Sequence, residues 1–272
     1  MKTNTIDFET ISPFQFTVRY IELDKYSIEN VTTSHIHDEC EIYINLSGDV
    51  SFMVENRIYP ISPGDVIITR PYEYHHCIYH SNKTHKHFWI LFSSGGNEKI
   101  LDMFFNRKAG TGNRLSFPRE KADLLFELCH SMTEQSGSAI KQYHSFFTLL
   151  HLLENAKEID SDFSYLPRDM SFAIEYINKN ISEPLTVSSI AEFAGISVNS
   201  LERHFARHLK LSPSEYIRKK RLSEASKLLS QGFSVTETAF RCGFSDYSNF
   251  ISLFRKNYGI TPLKYQKNLS QK

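Results

Sequence analysis

Long hydrophobic runs are missing from this 272-residue chain. Its longest apolar stretches, such as Phe88–Phe92, are far too short to cross a bilayer. The segment Met1–Phe8 is polar and has no apolar core, so no secretory signal is expected. Cysteine is scarce. Cys40, Cys77, Cys129 and Cys242 are scattered without a CxxC or CxxH pair, which argues against a disulfide or zinc framework and for a reducing cytoplasm. A net charge of either sign is also lacking, since 31 Lys+Arg balance 31 Asp+Glu. What is present is apolar and aromatic material: 40% hydrophobic and 13% aromatic residues argue against disorder. The length suits about two domains with a sizeable core in each.

The zero net charge conceals a division. Residues 1–170 carry 16 Lys+Arg against 23 Asp+Glu, and residues 171–272 carry 15 against 8. Ten of the 12 histidines precede residue 171. A basic C-terminal third on an acidic, histidine-rich body suggests a polyanion-binding module attached to a sensor or an enzyme. Chance unevenness is the alternative on charge alone.

Two segments of the basic third read alike. Ala191-Glu-Phe-Ala-Gly-Ile-Ser197, Phe205 and Leu211-Ser-Pro-Ser-Glu-Tyr216 are matched by Ala239-Phe-Arg-Cys-Gly-Phe-Ser245, Phe254 and Ile260-Thr-Pro-Leu-Lys-Tyr265. The offset is 48 residues up to the serine and 49 from the phenylalanine onward, so one unit is built twice. In each copy a short amphipathic helix stops at a glycine, Gly195 or Gly243. A second helix follows, with Leu201, Phe205 and Leu209 as the first copy's stripe and Phe250, Phe254 and Tyr258 as the second's. Ser197 caps that helix in the first copy, and Ser234-Val-Thr-Glu237 reads as a capping box opening the second copy. This is the helix-turn-helix layout, with units at about 186–209 and 234–258, and its second helix enters the DNA major groove. Between the copies, Ser212-Pro213-Ser214-Glu215 opens a helix whose Arg218-Lys-Lys-Arg221 run suits phosphate contact.

Residues 171–269 resemble the DNA-binding domain of AraC/XylS-type transcription regulators. The resemblance rests on Ala239-x3-Gly243-Phe244-Ser245, Phe250, Phe254-Arg-Lys and Gly259-Ile-Thr-Pro262-x2-Tyr265. It implies seven helices in two subdomains joined by the basic linker helix. It also implies base-reading roles for Asn199, Glu202 and Arg203 in the first unit, and for Asp246, Tyr247, Ser248, Asn249 and Ser252 in the second. Arg203 suits guanine and Asn249 suits adenine by donor geometry. Arg207, Lys210, Arg218, Lys219, Lys220, Arg255 and Lys256 are expected on phosphates. Two positions depart from the family: Ser252 stands where arginine is usual, and Lys210 where glycine is usual.

Residues 1–92 read as short strands, at Glu41–Leu46, Val50–Val54, Arg57–Ile61, Asp65–Thr69 and Phe88–Phe92, which suggests a closed barrel or jelly roll. His35-x-His37-x3-Glu41-x6-Gly48 resembles the first cupin motif, and Gly64-x6-Pro71-x3-His75 the second more loosely. Positions 35, 37, 41 and 43 share parity and so face one side of a strand. His35, His37, Glu41 and His75 could bind a divalent metal, line a polar effector pocket or make structural hydrogen bonds. The working assignment is a metal-free effector pocket that includes Tyr43 and Trp89, with Tyr74 a further candidate wall, and no cofactor. His76, His80, His85 and His87 are expected to be exposed near a loop.

Residues 93–158 read as a loop-like bridge to about 118 and then two amphipathic helices, near 119–135 and 139–158, whose apolar faces cover the barrel. The family resemblance implies that the excess apolar surface pairs two chains, and packing on the barrel alone is the alternative. Residues 159–170 read as a linker. The expected class is thus multi-domain α+β, with a cupin-like barrel followed by an all-α domain of two helix-turn-helix units. The function that follows is a cytoplasmic regulator, not an enzyme, that binds promoter DNA and responds to a small effector such as a sugar or related metabolite. Its partners are a second copy of the chain and, for an activator, RNA polymerase. A metal-dependent cupin enzyme with a helical appendage is the rival reading, which has no need of a duplicated helix-turn-helix.

Overall fold

Runs of β-branched and aromatic residues with period-two alternation build the N-terminal half. The computed structural model describes residues 14–24, 36–81, 83–95, 98–134, 138–158 and 164–270. Its strands are β1 (Phe16–Leu23), β2 (Cys40–Ser47), β3 (Val50–Val54), β4 (Arg57–Ile61), β5 (Val66–Thr69), β6 (His75–Tyr79), β7 (His85–Phe92), β8 (Arg114–Ser116), β9 (Lys157–Glu158) and β10 (Ser164–Tyr165). They form two antiparallel sheets, ordered β1-β7-β2-β5-β8-β9 and β10-β4-β3-β6.

Successive side chains leave opposite faces of a strand, so each sheet has two faces to satisfy. Between the sheets lie Tyr43, Phe52, Val54, Tyr59, Ile67 and Cys77. On the other face of the six-stranded sheet, Ile42, Ile44, Phe88, Ile90 and Phe92 pack beneath two helices, α2 (Arg119–Thr133) and α3 (Ala139–Glu154), through Leu125, Phe146, Leu149 and Leu153. The bridge before them is less irregular than expected, since it holds α1 (Asp102–Phe105) and β8. Covering the sheet leaves Ile140 82% exposed, with Leu124 and Phe147 also at the surface.

Seven helices follow, the number implied by the family resemblance: α4 (Arg168–Lys179), α5 (Val187–Ala194), α6 (Val198–Leu209), α7 (Pro213–Ser230), α8 (Val235–Arg241), α9 (Tyr247–Tyr258) and α10 (Pro262–Ser270). Their starts are chemically marked. Ser197 accepts from the Ser200 amide, Ser234 from that of Glu237 and Asp246 from that of Asn249, while Ser212 and Glu215 form a reciprocal capping box behind Pro213. The two helix-turn-helix pairs are α5–α6 and α8–α9. Lys210, where the family usually has glycine, sits at φ 56° in the left-handed region.

Two expectations are corrected here. Of the stretch 159–170 expected as a linker, residues 159–163 lie outside the described residues, while Ser164 and Tyr165 pair with β4 and Leu166 is buried. The core of the first helix-turn-helix unit is not separate from the barrel. Met53 and Tyr74 join Met170, Ala173, Ile174, Leu209 and Tyr216 in one cluster, so the outer face of the four-stranded sheet is covered by the C-terminal domain.

A buried ion pair anchors the β5–β6 connection. Arg107 grips Glu73 with both guanidinium arms, at 2.6 and 3.0 Å, and Glu73 also accepts from the Arg70 and Gly110 amides and from Asn113. Burial alone would push the Glu73 carboxyl up, but Arg107 and these hydrogen bonds outweigh it and hold it below 4.5. The pair's contribution is therefore present above about pH 4.5 and fades as the pH falls through the lowered value. Arg107→Leu should cost about 3–5 kcal/mol by stranding the buried carboxylate, measured by urea unfolding at pH 7.

The two turn glycines make a sharper pair of tests. A Cβ at Gly243 (φ 76°) would lie 2.9 Å from the carbonyl oxygens of Ile181 and Ser182, whereas one at Gly195 (φ 70°) meets nothing within 4 Å. Gly195→Ala should therefore cost only the left-handed backbone term, about 1–2 kcal/mol, and Gly243→Ala about 1–3 kcal/mol more. Equal losses in thermal unfolding would contradict the close approach at Gly243.

Candidate functional site

Strand parity places Glu41 on the same face of β2 as Tyr43, and β6 brings His75 beside it. His37 and His75 both reach Glu41 Oε2 through Nε2, at 3.1 and 3.2 Å, and their rings meet edge-on at 5.0 Å. Each imidazole is oriented from behind. His37 Nδ1 lies 3.1 Å from the Glu39 carbonyl, and His75 Nδ1 lies 2.8 Å from that of Glu73. A carbonyl can only accept, so both Nδ1 atoms carry hydrogen and, in the neutral rings, both Nε2 lone pairs point at a carboxylate. Lone pairs facing a carboxylate need a proton or another cation between them. Burial pushes His37 down, but the Glu41 carboxylate, by hydrogen bond and by charge, outweighs it and raises His37 above 6.5.

Three ligand atoms within 4.8 Å of one another could also hold a divalent metal. Glu41 and His75 are buried and His37 is 16% exposed, so the cluster is reachable from one side. His35, expected in the same set, lies outside the described residues.

The other predicted ligand contacts divide. Tyr43 is buried between the sheets, its hydroxyl 2.6 Å from His85 Nε2. Trp89 is half-buried on the strand between β1 and β2, with the Arg19 guanidinium 5.4 Å above its ring. Tyr74 is not a pocket wall: its hydroxyl donates to the Leu209 carbonyl at 3.1 Å, and its ring packs on Tyr216. His80 is exposed, as expected, with Ser51 Oγ 2.8 Å from its Nε2, whereas His76, His85 and His87, expected to be exposed, are buried. The reason is that 75–79 and 85–92 are strands, so these imidazoles fall on packed faces. His85 and His87 stack at 4.9 Å, and His87 stacks on Tyr43 at 4.7 Å.

In the C-terminal domain, Asn199, Glu202 and Arg203 are exposed along α6, and Tyr247, Ser248, Asn249 and Ser252 along α9. Asp246 is exposed too, but its carboxylate is engaged as the α9 cap. Arg207, Lys210, Arg255 and Lys256 are exposed beyond them.

The basic run on α7 does not act as a patch. Consecutive helix residues lie about 100° apart, so four of them encircle the axis. Arg218 is exposed and Lys219 half-buried. Lys220 is held by both Glu55 carboxylate oxygens at 2.8 and 2.9 Å, and Arg221 donates to the carbonyls of Ile181 and Glu183. In this arrangement Lys220 is not open to a phosphate. Glu55, Asp38, Tyr72 and Glu73, which organise this junction, carried no signal in the sequence, because their partners are remote along the chain.

Two recognition helices of one design, each presenting polar side chains from a packed stripe, beside a sheet domain with a buried polar cluster, define a ligand-linked DNA-binding regulator. Comparison with known proteins agrees. Residues 190–268 match the helix-turn-helix domain model and residues 23–150 the AraC-like ligand binding domain. The transcriptional regulator YbfI of Bacillus subtilis is 26% identical over 85% of this chain and 86% of its own length. The transcriptional activator RhaS of Salmonella arizonae is 31% identical over 41% of this chain and 38% of its own. A solved DNA-binding transcriptional dual regulator from Escherichia coli K-12 is 32% identical, covering 39% of this chain and 96% of that one, with a TM-score of 0.36. The chain belongs to the AraC family of DNA-binding transcription regulators and carries that family's ligand-binding domain. Among the described residues, no helix is long and apolar enough to cross a membrane.

The buried histidines give a test in pH. Burial, with help from neighbouring His85, holds His87 down at about 3, and burial lowers His85 as well. Between about pH 3 and 6.5 the unfolded chain binds the proton that native His87 refuses. Stability therefore falls as the pH drops through that window, by up to about 1.4 kcal/mol per unit for this one group. His87→Phe should flatten that slope in urea titrations run from pH 7 to pH 4.

Proposed function

We propose that this regulator binds a small polar effector, such as a sugar or related metabolite, through His37, Glu41 and His75 in its barrel, and reads promoter DNA with Asn199, Glu202, Arg203, Tyr247, Ser248, Asn249 and Ser252. The convergence of two tautomer-fixed imidazoles on one buried carboxylate supports the effector site, since such a set can both donate to and accept from hydroxyl groups. The effector changes how the DNA-binding domain is held, and so how its reading helices meet their half-sites. The chain works in the cytoplasm without catalysis. Two copies pair through the α2–α3 face that keeps Leu124, Ile140 and Phe147 at the surface, and RNA polymerase is the further partner of an activator.

A divalent metal on the same three ligand atoms is the second reading, favoured by their 4.8 Å grouping. A thermal-shift screen of sugars and metabolites decides between the two when it is run beside metal analysis. An effector at a hundredfold its Kd adds about 2.7 kcal/mol of stability. His37→Ala should abolish that shift while leaving DNA affinity in the absence of effector within about twofold. One equivalent of metal in the purified protein, with chelation lowering Tm, would replace the effector reading.

On the DNA side, Arg203→Ala should cost about 1–3 kcal/mol at the specific site and relax preference at one base position, measured by fluorescence anisotropy. Equal losses on specific and random duplexes would reassign Arg203 to phosphate. Arg218→Gln should lower the salt slope of binding by about 0.9, whereas Lys220→Gln should leave it unchanged.

A further inference from the structure

Between the β5–β6 connection of the barrel and helices α7 and α10 runs a cleft of about 1160 Å³. The barrel lines it with Asp38, Arg70, Pro71 and Tyr72, and the C-terminal domain with Ser230 and Tyr265. His37, Glu41 and His75 are not on its walls, so it is a different space from the effector cluster. Pockets for small metabolites measure roughly 300–1,000 Å³, and this cleft has room for such a molecule with some of its water.

Most of the charges on these walls are cancelled in place. Lys220 is held by Glu55 at 2.8 Å, Lys227 faces Glu224 at 3.4 Å, and Glu73 is taken by Arg107 at 2.6 Å. Glu98 is exposed at the rim and receives the Ser94 hydroxyl. Two half-buried groups of opposite sign are left over. Arg70 is a carboxylate short, because Arg107 has already claimed Glu73. Its Nε lies 3.9 Å from Glu73, its Nη1 donates to the carbonyls of Arg107 and Phe105 at 2.9 and 3.5 Å, and its Nη2 makes no hydrogen bond among the described residues. Asp38 is the converse. Its Oδ2 accepts from the Tyr265 hydroxyl, and no cation pairs with it among the described residues. Burial, and then the Asp38 charge, push the Tyr72 phenol up to about 12, which puts a second phenol beside this carboxylate.

A half-buried charge without a counter-ion is costly, and a ligand of opposite charge recovers that cost through charge-assisted hydrogen bonds. We propose that this cleft is a second ligand site, distinct from the barrel cluster, and that it takes a zwitterion carrying a primary ammonium and a carboxylate, namely an amino acid or a short peptide. The ammonium group meets Asp38, where neighbouring phenols favour a cation as well. The carboxylate meets Arg70, whose uncommitted Nη2 donates to it. Pro71 and Phe105, also on the walls, give the carbon skeleton apolar contact. Both ligand-binding charges come from the barrel, and Ser230 and Tyr265 of the C-terminal domain close the space around them.

The test titrates the full chain by isothermal calorimetry with probes of defined charge. These are the common L-amino acids and a set of dipeptides, each beside its N-acetyl form, which lacks the ammonium, and its amide, which lacks the carboxylate. At least one free amino acid or dipeptide should bind with a Kd below about 1 mM. Both of its blocked forms should bind at least tenfold more weakly. Which of the two probe sets holds the tighter binder identifies the source of the zwitterion. Asp38→Asn should weaken the free form at least tenfold and leave the N-acetyl form unchanged, and Arg70→Gln should do the same with the amide as the insensitive form. Ser230 is exposed at the end of α7, so Ser230→Trp should fold and abolish binding by filling the cleft from the C-terminal side. A panel without a binder overturns the proposal, and blocked forms that bind as well as the free one overturn the zwitterion. Binding that survives Ser230→Trp belongs to the barrel, which overturns the cleft site and leaves the effector reading standing. Where circular dichroism shows a variant unfolded, Tyr265→Phe replaces Asp38→Asn, Arg70→Lys replaces Arg70→Gln and Lys227→Trp replaces Ser230→Trp. The comparison of free and blocked probes on the unaltered chain decides the ligand class in every case.

Discussion

The four-stranded sheet has no face left for water, and the rest of the molecule follows from that. A strand sends alternate side chains to opposite sides. In β3, Phe52 and Val54 enter the space between the sheets while Met53, between them, enters the core of the C-terminal domain. The same alternation at the start of β6 sends His75 toward Glu41 and Tyr74 toward Leu209. A sheet of this kind is a partition only about one side chain thick, with a polar cluster on one side and a DNA-binding domain on the other. The antiparallel sheets of many proteins solvate one face. Here that face is spent on the neighbouring domain.

The C-terminal domain meets the partition without surrendering its reading surface. Its apolar stripes, Leu201, Phe205 and Leu209 on α6 and Phe250 and Phe254 on α9, are buried, and the polar residues on the opposite side of each helix remain in solvent. The helix joining the two units is the element most divided in its loyalties. Arg218 faces solvent, Lys220 the barrel and Arg221 the carbonyls of Ile181 and Glu183 near the Gly243 turn. The geometry of a 3.6-residue turn makes this unavoidable for four adjacent cations.

Much of this was legible in the residues because it is local. Helix caps at Ser197, Ser212 and Ser234 and the glycine turns are written within a few positions of where they act, and the duplication doubled the signal. Glu41 and His37 were legible as well, four residues apart on adjoining segments. What escaped was long-range. The histidines at 76, 85 and 87 looked like loop residues because nothing nearby announced that β6 and β7 extend through them. The Glu55–Lys220 pair joins residues 165 positions apart, and Tyr74 reaches Leu209 across 135. Composition could say that Lys220 was positive, but only the fold could say which anion it meets. The linker was misjudged for a similar reason: Ser164 and Tyr165 look like spacer residues until β4 offers them an edge.

The shared core around Met53, Tyr74 and Tyr216 limits how freely such a chain can be recombined. A helix-turn-helix domain is often pictured as a portable cassette, joined to whatever sensor supplies the signal. In this molecule, transplanting the C-terminal domain to another sensor would leave Met170 and Tyr216 against a foreign surface and Lys220 without Glu55. A sensor that merely folds is therefore not enough. It must also reproduce an apolar patch, a carboxylate and a tyrosine at matching positions, and lineages that exchange domains must carry that surface along with them.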